Sequence, residues 1–357
     1  MRAVVNGALR VGDVPPASAD ALAFHRALPG SAPTPVRALA PVARELGLGA
    51  VAMKDESARL GLPAFKVLGA SWAVERALRA AGEEVRTLVA ASAGNHGRAV
   101  AHVAAARGLA CRVFLPARSA EARRRAIAGE GAELVVVEGT YEDAVAAAEA
   151  EGARPGVLEI ADVGSSGPAR WVVDGYATLF AELAGDSYDV VLVPAGVGSL
   201  AAAAARFGAA AGIPVVAVEP ATAACLGASL AAGAPTAVPT PGTTMAGLDC
   251  AEVSPAAWPD LRAGIAGAVA VGDDEATAAM ADLAALGHAI GDCGAAPLAA
   301  LRALVEDPAC APLRDAVGGL GADARVLLIA TEGVTDPDAY ASALARAPKS
   351  GLSADPS

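Results

Sequence analysis

A chain of 357 residues with 54% apolar residues is long enough for two hydrophobic cores, so two domains are expected. Its net charge of -12 argues against a nucleic-acid partner, which needs basic stripes; the one short run, Arg123 to Arg125, reads as a solvated helix face. Five cysteines without a CxxC pair argue for a reducing compartment with no disulfide or zinc framework, and neither a leader nor an apolar run of membrane-spanning length is visible, so a soluble cytoplasmic protein is expected.

Short β-branched runs alternate with longer alanine-rich runs of helical period, the pattern of an α/β fold with parallel-type sheets flanked by helices. Strands are expected at CRVFLP (111–116), ELVVVEG (133–139), GVLEIAD (156–162), DVVLVPAG (189–196), PVVAVEP (214–220) and RVLLIATEG (325–333). Helices are expected between them, at SAEARRRAIAGEG, YEDAVAAAEAEG, ARWVVDGYATLFAELAG and DEATAAMADLAALG, most ending in glycine as left-handed caps require. Aromatics make up only 3% of the chain, so its cores must close through tight packing of alanine-rich helices.

Ligands in such folds bind beyond the carboxyl ends of the strands, and three turns there are unusual. LPAFKVLGAS holds Lys66, one of three lysines beside twenty-four arginines. Flanked by Phe65, Val67 and Leu68, its amine is expected to lose hydration and to have a depressed pKa, which favours the neutral form that condenses with an aldehyde. The alternative is a snorkelling surface lysine, which a helix N-terminus disfavours. VAASAGNHGRAVA crowds Ser92, Gly94, Asn95 and Gly97 into a helix entry able to wrap a carboxylate, or else an ordinary entry capped by Asn95. In VVLVPAGVGSLAAAA a strand runs through Gly196 and Gly198 into a helix, an anion cradle suited to a phosphate. Read strictly, that turn also fits GxGxxA with Glu219 closing the next strand, as a nicotinamide-dependent dehydrogenase would have it. A phosphate cradle, a carboxylate loop and a desolvated lysine are together the parts needed to hold pyridoxal phosphate and an amino acid.

The segment from Phe24 to Ser71 resembles the N-terminal region of the diaminopropionate ammonia-lyase family, within the tryptophan synthase β-subunit-like (fold type II) group of pyridoxal phosphate enzymes. Similarity continues through SAGNHGRAVA, DGYATLFAEL, AGVGSLA, VVAVEP, TTMAGLDC, GDCGAAPL and ATEGVTDP, over roughly residues 24 to 338 in the family's order. The resemblance implies two α/β domains: a larger cofactor domain from 1–75 and 175–345, and a smaller inserted one at 76–174, with a flexible tail at 346–357. It implies that Lys66 bonds the cofactor and shuttles the Cα proton. Gly196, Val197, Gly198, Ser199 and Leu200 would hold the phosphate, Asn95 would lie beside the ring and its phenolic oxygen, and Thr331 near the pyridine nitrogen. Ser92, Gly94 and His96 would line a substrate carboxylate pocket, with Asp162 as an extra catalytic carboxylate near the amine or leaving group; a helix cap is the other reading of Asp162. A homodimer is implied and no metal.

Departures from the family pattern bear on the substrate. Ala93 replaces an aspartate that serves the family as base for D-substrates, so L-selectivity is expected. Asp292 and Cys293 stand where the family has glutamate and serine, placing Asp292 in the substrate pocket, and DVGSSGPARW lacks the family's aromatic residues after Asp162. The expected chemistry is α,β-elimination on a small β-substituted L-amino acid, giving pyruvate and ammonia. A serine or threonine dehydratase and a β-replacement synthase use the same parts. Asp249, Cys250 and His25 read as structural.

Overall fold

The computed structural model describes residues 2–348, apart from 83, 166 and 184, together with 351–352. Much of the tail expected at 346–357 therefore lies outside the described residues. Eleven strands occur among them: β1 (Ala3–Val5), β2 (Val36–Ala38), β3 (Ala50–Asp55), β4 (Thr87–Ala91), β5 (Ala110–Pro116), β6 (Glu133–Val137), β7 (Val157–Glu159), β8 (Val190–Pro194), β9 (Val215–Pro220), β10 (Gly267–Val271) and β11 (Arg325–Ala330). They form two sheets, one ordered β1-β10-β9-β8-β11-β3-β2 and the other β6-β5-β4-β7.

The smaller sheet is parallel throughout and lies within residues 87–159. The larger is parallel at its centre, as expected, with β1 and β2 joining its edges antiparallel. Its central strands are buried from end to end: every residue of β8 and β9 is covered by helices on both faces, as parallel strands require. One cluster of buried side chains runs from this sheet to the smaller one through helices Lys66–Ala81, Asn95–Ala106 and Pro168–Ala181. No helix among the described residues is long and apolar enough to cross a membrane.

Two glycines set how the Lys66 helix sits. A Cβ on Gly69 would come within 2.6 Å of the Tyr176 ring, and one on Gly175 within 2.6 Å of the Leu68 carbonyl oxygen. Helices Lys66–Ala81 and Pro168–Ala181 therefore cross at backbone contact, which lays Tyr176 against Phe65 with ring centroids 4.7 Å apart. His25 pins the same crossing, its ring nitrogens meeting Thr178 Oγ1 at 2.7 Å and the Leu68 carbonyl at 3.0 Å. Burial pushes its imidazole down to about 4, in keeping with a structural role.

Candidate active site

Five turns converge at the carboxyl ends of parallel strands, the ligand-binding edge of α/β sheets. β3 leads to Lys66, β4 to Ser92–Gly94, β7 to Asp162, β8 to Gly196–Gly198 and β11 to Thr331 and Glu332. Lys66 is the first residue of its helix, and its Nζ donates to Asp162 Oδ2 at 3.0 Å. His96 Nδ1 stands 3.9 Å from the same carboxylate oxygen. Its Nε2 lies 2.7 Å from the Ile160 carbonyl, which only accepts, so Nε2 carries the hydrogen. The His96 ring is thus tied through Nε2 to Ile160, while Nδ1 faces Asp162 without a hydrogen bond.

Asp162 is no helix cap: it sits in the loop before the Pro168 helix. Burial alone would raise its carboxyl, but His96 and the Lys66 ammonium hold it down at about 2. The depressed pKa expected of Lys66 is corrected by the same contact. Burial does oppose its ammonium, but Tyr176 and Asp162 outweigh burial and raise the pKa above its ordinary value. The sequence shows the apolar neighbours of Lys66; the carboxylate comes from another domain-sized stretch of chain.

The turn read as a phosphate cradle follows β8 and opens helix Ser199–Ala211. Gly198 is the N-cap of helix Ser199–Ala211, with φ +91°, and a Cβ there would lie 2.5 Å from Leu261 Cδ1. A Cβ on Gly196 would meet Cys250 Sγ at 2.9 Å and the Gly247 carbonyl at 3.0 Å. No side chain caps this helix, so the amides of its first turn are left for a ligand or solvent to satisfy. Ser199 Oγ reaches the Asp162 carbonyl at 3.4 Å, tying the cradle to the Lys66 pair. Cys250, read as structural, belongs to this group: burial, opposed by the charge of Lys66 and supported by that of Asp162, pushes its thiol up to about 12. Tyr141 is a further member that sequence reasoning missed. It opens helix Tyr141–Gly152, its hydroxyl donates to the Ala91 carbonyl at 3.2 Å, and burial followed by the Asp162 charge raises its pKa. The sign in the sequence was an aromatic residue just after a Thr140 cap.

A second group lines a cavity of about 440 Å³ between the Asn95 helix, helix Glu121–Gly129 and helix Pro337–Arg346. Ala93, Gly94, Asn95 and Asp292 are on its wall, together with Glu332 and Arg123; Lys66, Asp162 and residues 196–200 are not. Arg123, expected on a solvated face, lines this cavity instead. Ser92 Oγ accepts from the Gly94 amide at 3.2 Å, and Gly94, not Asn95, is the N-cap. Asn95 Nδ2 donates to Glu332 Oε2. Asp292 opens helix Asp292–Glu306, and one ligand atom each of Asp292, Cys293 and Glu332 lies within 4.8 Å of the others. Burial and the neighbouring Glu332 push the Asp292 carboxyl up to about 7.

The dehydrogenase alternative loses its second feature. Glu219 is 1% exposed and accepts the amides of Leu226 at 2.6 Å and Gly227 at 2.8 Å, so it closes the start of helix Cys225–Ala232 and is not free for a ribose. The residues around Lys66 fit pyridoxal phosphate instead. A lysine stands at the mouth of a helix beside an uncapped cradle for a phosphate. Thr331 Oγ1, buried at the chain segment whose carbonyl accepts the Phe65 amide, has no hydrogen-bond partner among the described residues, as an atom facing a ring nitrogen would have none before that ring is bound.

Lysine, cradle and two-sheet α/β frame together define a fold type II (tryptophan synthase β-like) enzyme with pyridoxal phosphate as cofactor. The model of the pyridoxal-phosphate dependent enzyme family matches residues 27–332, and the chain belongs to that family. It is similar to the diaminopropionate ammonia-lyase of Salmonella typhimurium, with 33% identity over 364 residues covering 90% of each chain. The crystal structure of the Escherichia coli diaminopropionate ammonia lyase in complex with an aminoacrylate-PLP azomethine reaction intermediate superposes with a TM-score of 0.86 at 30% identity, across 96% of both chains. The same Escherichia coli enzyme in complex with D-serine gives a TM-score of 0.85 at 29% identity.

Proposed function

We propose that this pyridoxal-phosphate-dependent lyase eliminates the β-amine of L-2,3-diaminopropionate as ammonia, and that hydrolysis of the product by one water releases pyruvate and a second ammonia. The observation that carries this reading is the 3.0 Å contact of Lys66 with Asp162 beside the uncapped cradle; the likeness to diaminopropionate ammonia-lyases over 90% of the chain supplies the substrate. Pyridoxal phosphate, when bound, supplies an electron sink for the carbanion at Cα. Lys66 would hold the cofactor at rest, and its amine, once free, would take the Cα proton. Asp162 accepts a hydrogen from Nζ and so stabilises the ammonium that Lys66 becomes on taking that proton. The amides of Val197 to Leu200, with Gly196 and Gly198 leaving the approach open, bind the phosphate. Thr331 Oγ1, which has no hydrogen-bond partner among the described residues, would receive the pyridine nitrogen, and Asn95 would serve the ring oxygen. Ser92 and the backbone of Gly94 and His96 take the substrate carboxylate, and Asp292 and Ala93 face the side chain. Residues 76–174, which contain the four-stranded sheet, form the smaller domain, and its closure excludes water from the carbanion.

Asp292 and Glu332 on the cavity wall favour a substrate with a second cationic group over serine or threonine. Pyruvate release from L-diaminopropionate, L-serine and L-threonine, compared at equal concentration, tests the choice. The reading expects the highest kcat/KM with L-diaminopropionate and fails if either hydroxy amino acid exceeds it. Ala93 cannot take a proton, so turnover of the D-isomer is expected to be low. Ala93→Asp should raise it by about 10²-fold, the weight of a general base, with little change for the L-isomer.

A further inference from the structure

Glu332 is where the two groups of site residues meet. It follows Thr331 directly, and its backbone forms an isolated antiparallel bridge with Ala64, next to the segment that carries Lys66. Its side chain runs the other way, to Asn95 Nδ2 on the facing helix. The space for that side chain is made by glycine. A Cβ on Gly291 would lie 3.2 Å from Glu332 Cγ and 2.6 Å from the Gly333 carbonyl oxygen, and one on Gly294 would lie 2.9 Å from the Glu332 carbonyl oxygen. Both glycines of GDCG are therefore required by the close approach of the chain at Glu332. With Glu332 only 5% exposed, water competes little for its bond to Asn95.

We propose that Glu332 is a positioning residue for Asn95: it accepts one Nδ2 hydrogen, fixes the amide rotamer and leaves the second Nδ2 hydrogen directed at the ring oxygen of the cofactor. The proposal rests on the reading of Lys66 and Asn95 as cofactor-binding residues. An asparagine amide carries two hydrogens on Nδ2 and two lone pairs on Oδ1. Left alone it can turn end for end and present Oδ1, which repels an anionic ring oxygen. A carboxylate accepts and does not donate, so it selects the Nδ2 end.

The test is a double-mutant cycle on cofactor binding to the full chain. Wild type, Asn95→Ala, Glu332→Ala and the double variant are compared by the dissociation constant for pyridoxal phosphate and the position of its visible band. Glu332→Ala is expected to weaken cofactor binding by about tenfold, the weight of a hydrogen bond to a charged group, and to shift the band as Asn95→Ala does. In the Asn95→Ala background it should add nothing. Glu332→Gln, which keeps a carbonyl acceptor of the same length, should recover most of the affinity. An Asn95→Ala defect with wild-type behaviour of Glu332→Ala, or effects that simply add, overturns the proposal and leaves the cofactor site standing. An Asn95→Ala protein that binds like wild type overturns both the proposal and the assignment of Asn95. Should Glu332→Ala not fold, Glu332→Asp, which keeps the charge and withdraws it by one methylene, is read by the same criteria.

Discussion

Lys54 and Lys66 stand at the two ends of the β3-to-helix turn, and their surroundings differ in one respect. Lys54 is 1% exposed and fully engaged: Nζ donates to Glu182 Oε2 at 2.7 Å and to the Thr34 carbonyl at 2.8 Å. Arg59 closes the network, donating to both oxygens of Glu182 and to Glu56. Around Lys66 the accounting stays open. Asp162 is its ion-pair partner, and the Tyr176 hydroxyl, His96 Nδ1 and Thr331 Oγ1, all buried, have no hydrogen-bond partner among the described residues. A buried unsatisfied group costs about 1–3 kcal/mol, so a fold keeps several together where a ligand completes them. One lysine is fully paired within the fold; the other, on the proposed reading, is left for the cofactor and substrate to engage.

The contrast can be broken by substitution. Lys66→Ala should lower turnover by at least about 10³-fold, since on the proposed reading it removes both the anchor and the base, and should destabilise the cofactor-free protein less than Lys54→Ala does, because the Lys66–Asp162 pair is the more exposed of the two. Lys54→Ala should act on stability alone: a loss of about 3 kcal/mol in denaturant unfolding, because Glu182 keeps Arg59 and the Thr34 amide but loses its ammonium partner, with kcat of the folded fraction unchanged. A kcat defect in Lys54→Ala comparable to that of Lys66→Ala would erase the distinction. Asp162→Asn should cost about 10²-fold in kcat, by removing the carboxylate that stabilises the Lys66 ammonium. The same residue gives the smallest effect, in acid. Its folded pKa of about 2 lies below the ordinary 3.8, so its stabilising contribution is present above pH 3.8 and is lost as pH falls through about 2. The stability difference between wild type and Asp162→Asn should shrink across that window, and a difference constant from pH 5 to pH 2 would contradict the pairing.

The strands legible in the sequence were those with β-branched runs, such as β6, β8, β9 and β11. β3 (AVAMKD), β4 (TLVAA) and β10 (GAVAV) are equally central and were not read as strands. Alanine, the best helix former, thins the β-branched signal there, and only pairing with neighbours decides. The short antiparallel edges β1 and β2 carry no periodic pattern at all. Within the site, Lys66, the glycine cradle and SAGNHG could be seen because glycine, asparagine and lysine are conspicuous at strand-to-helix turns. Glu332 could not, because what marks it is contact with Gly291, Gly294 and Asn95, all distant in sequence. The raised pKa of Lys66 is hidden from the sequence for the same reason: Asp162 lies 96 positions away.

The most direct measurement is the absorption spectrum of the purified protein with pyridoxal phosphate, before and after borohydride, beside Lys66→Ala. A visible band in wild type that borohydride bleaches, and that Lys66→Ala lacks, is the expected result and fixes Lys66 as the residue bonded to the cofactor. The same bleachable band in Lys66→Ala would place that bond elsewhere and contradict the assignment on which the site rests.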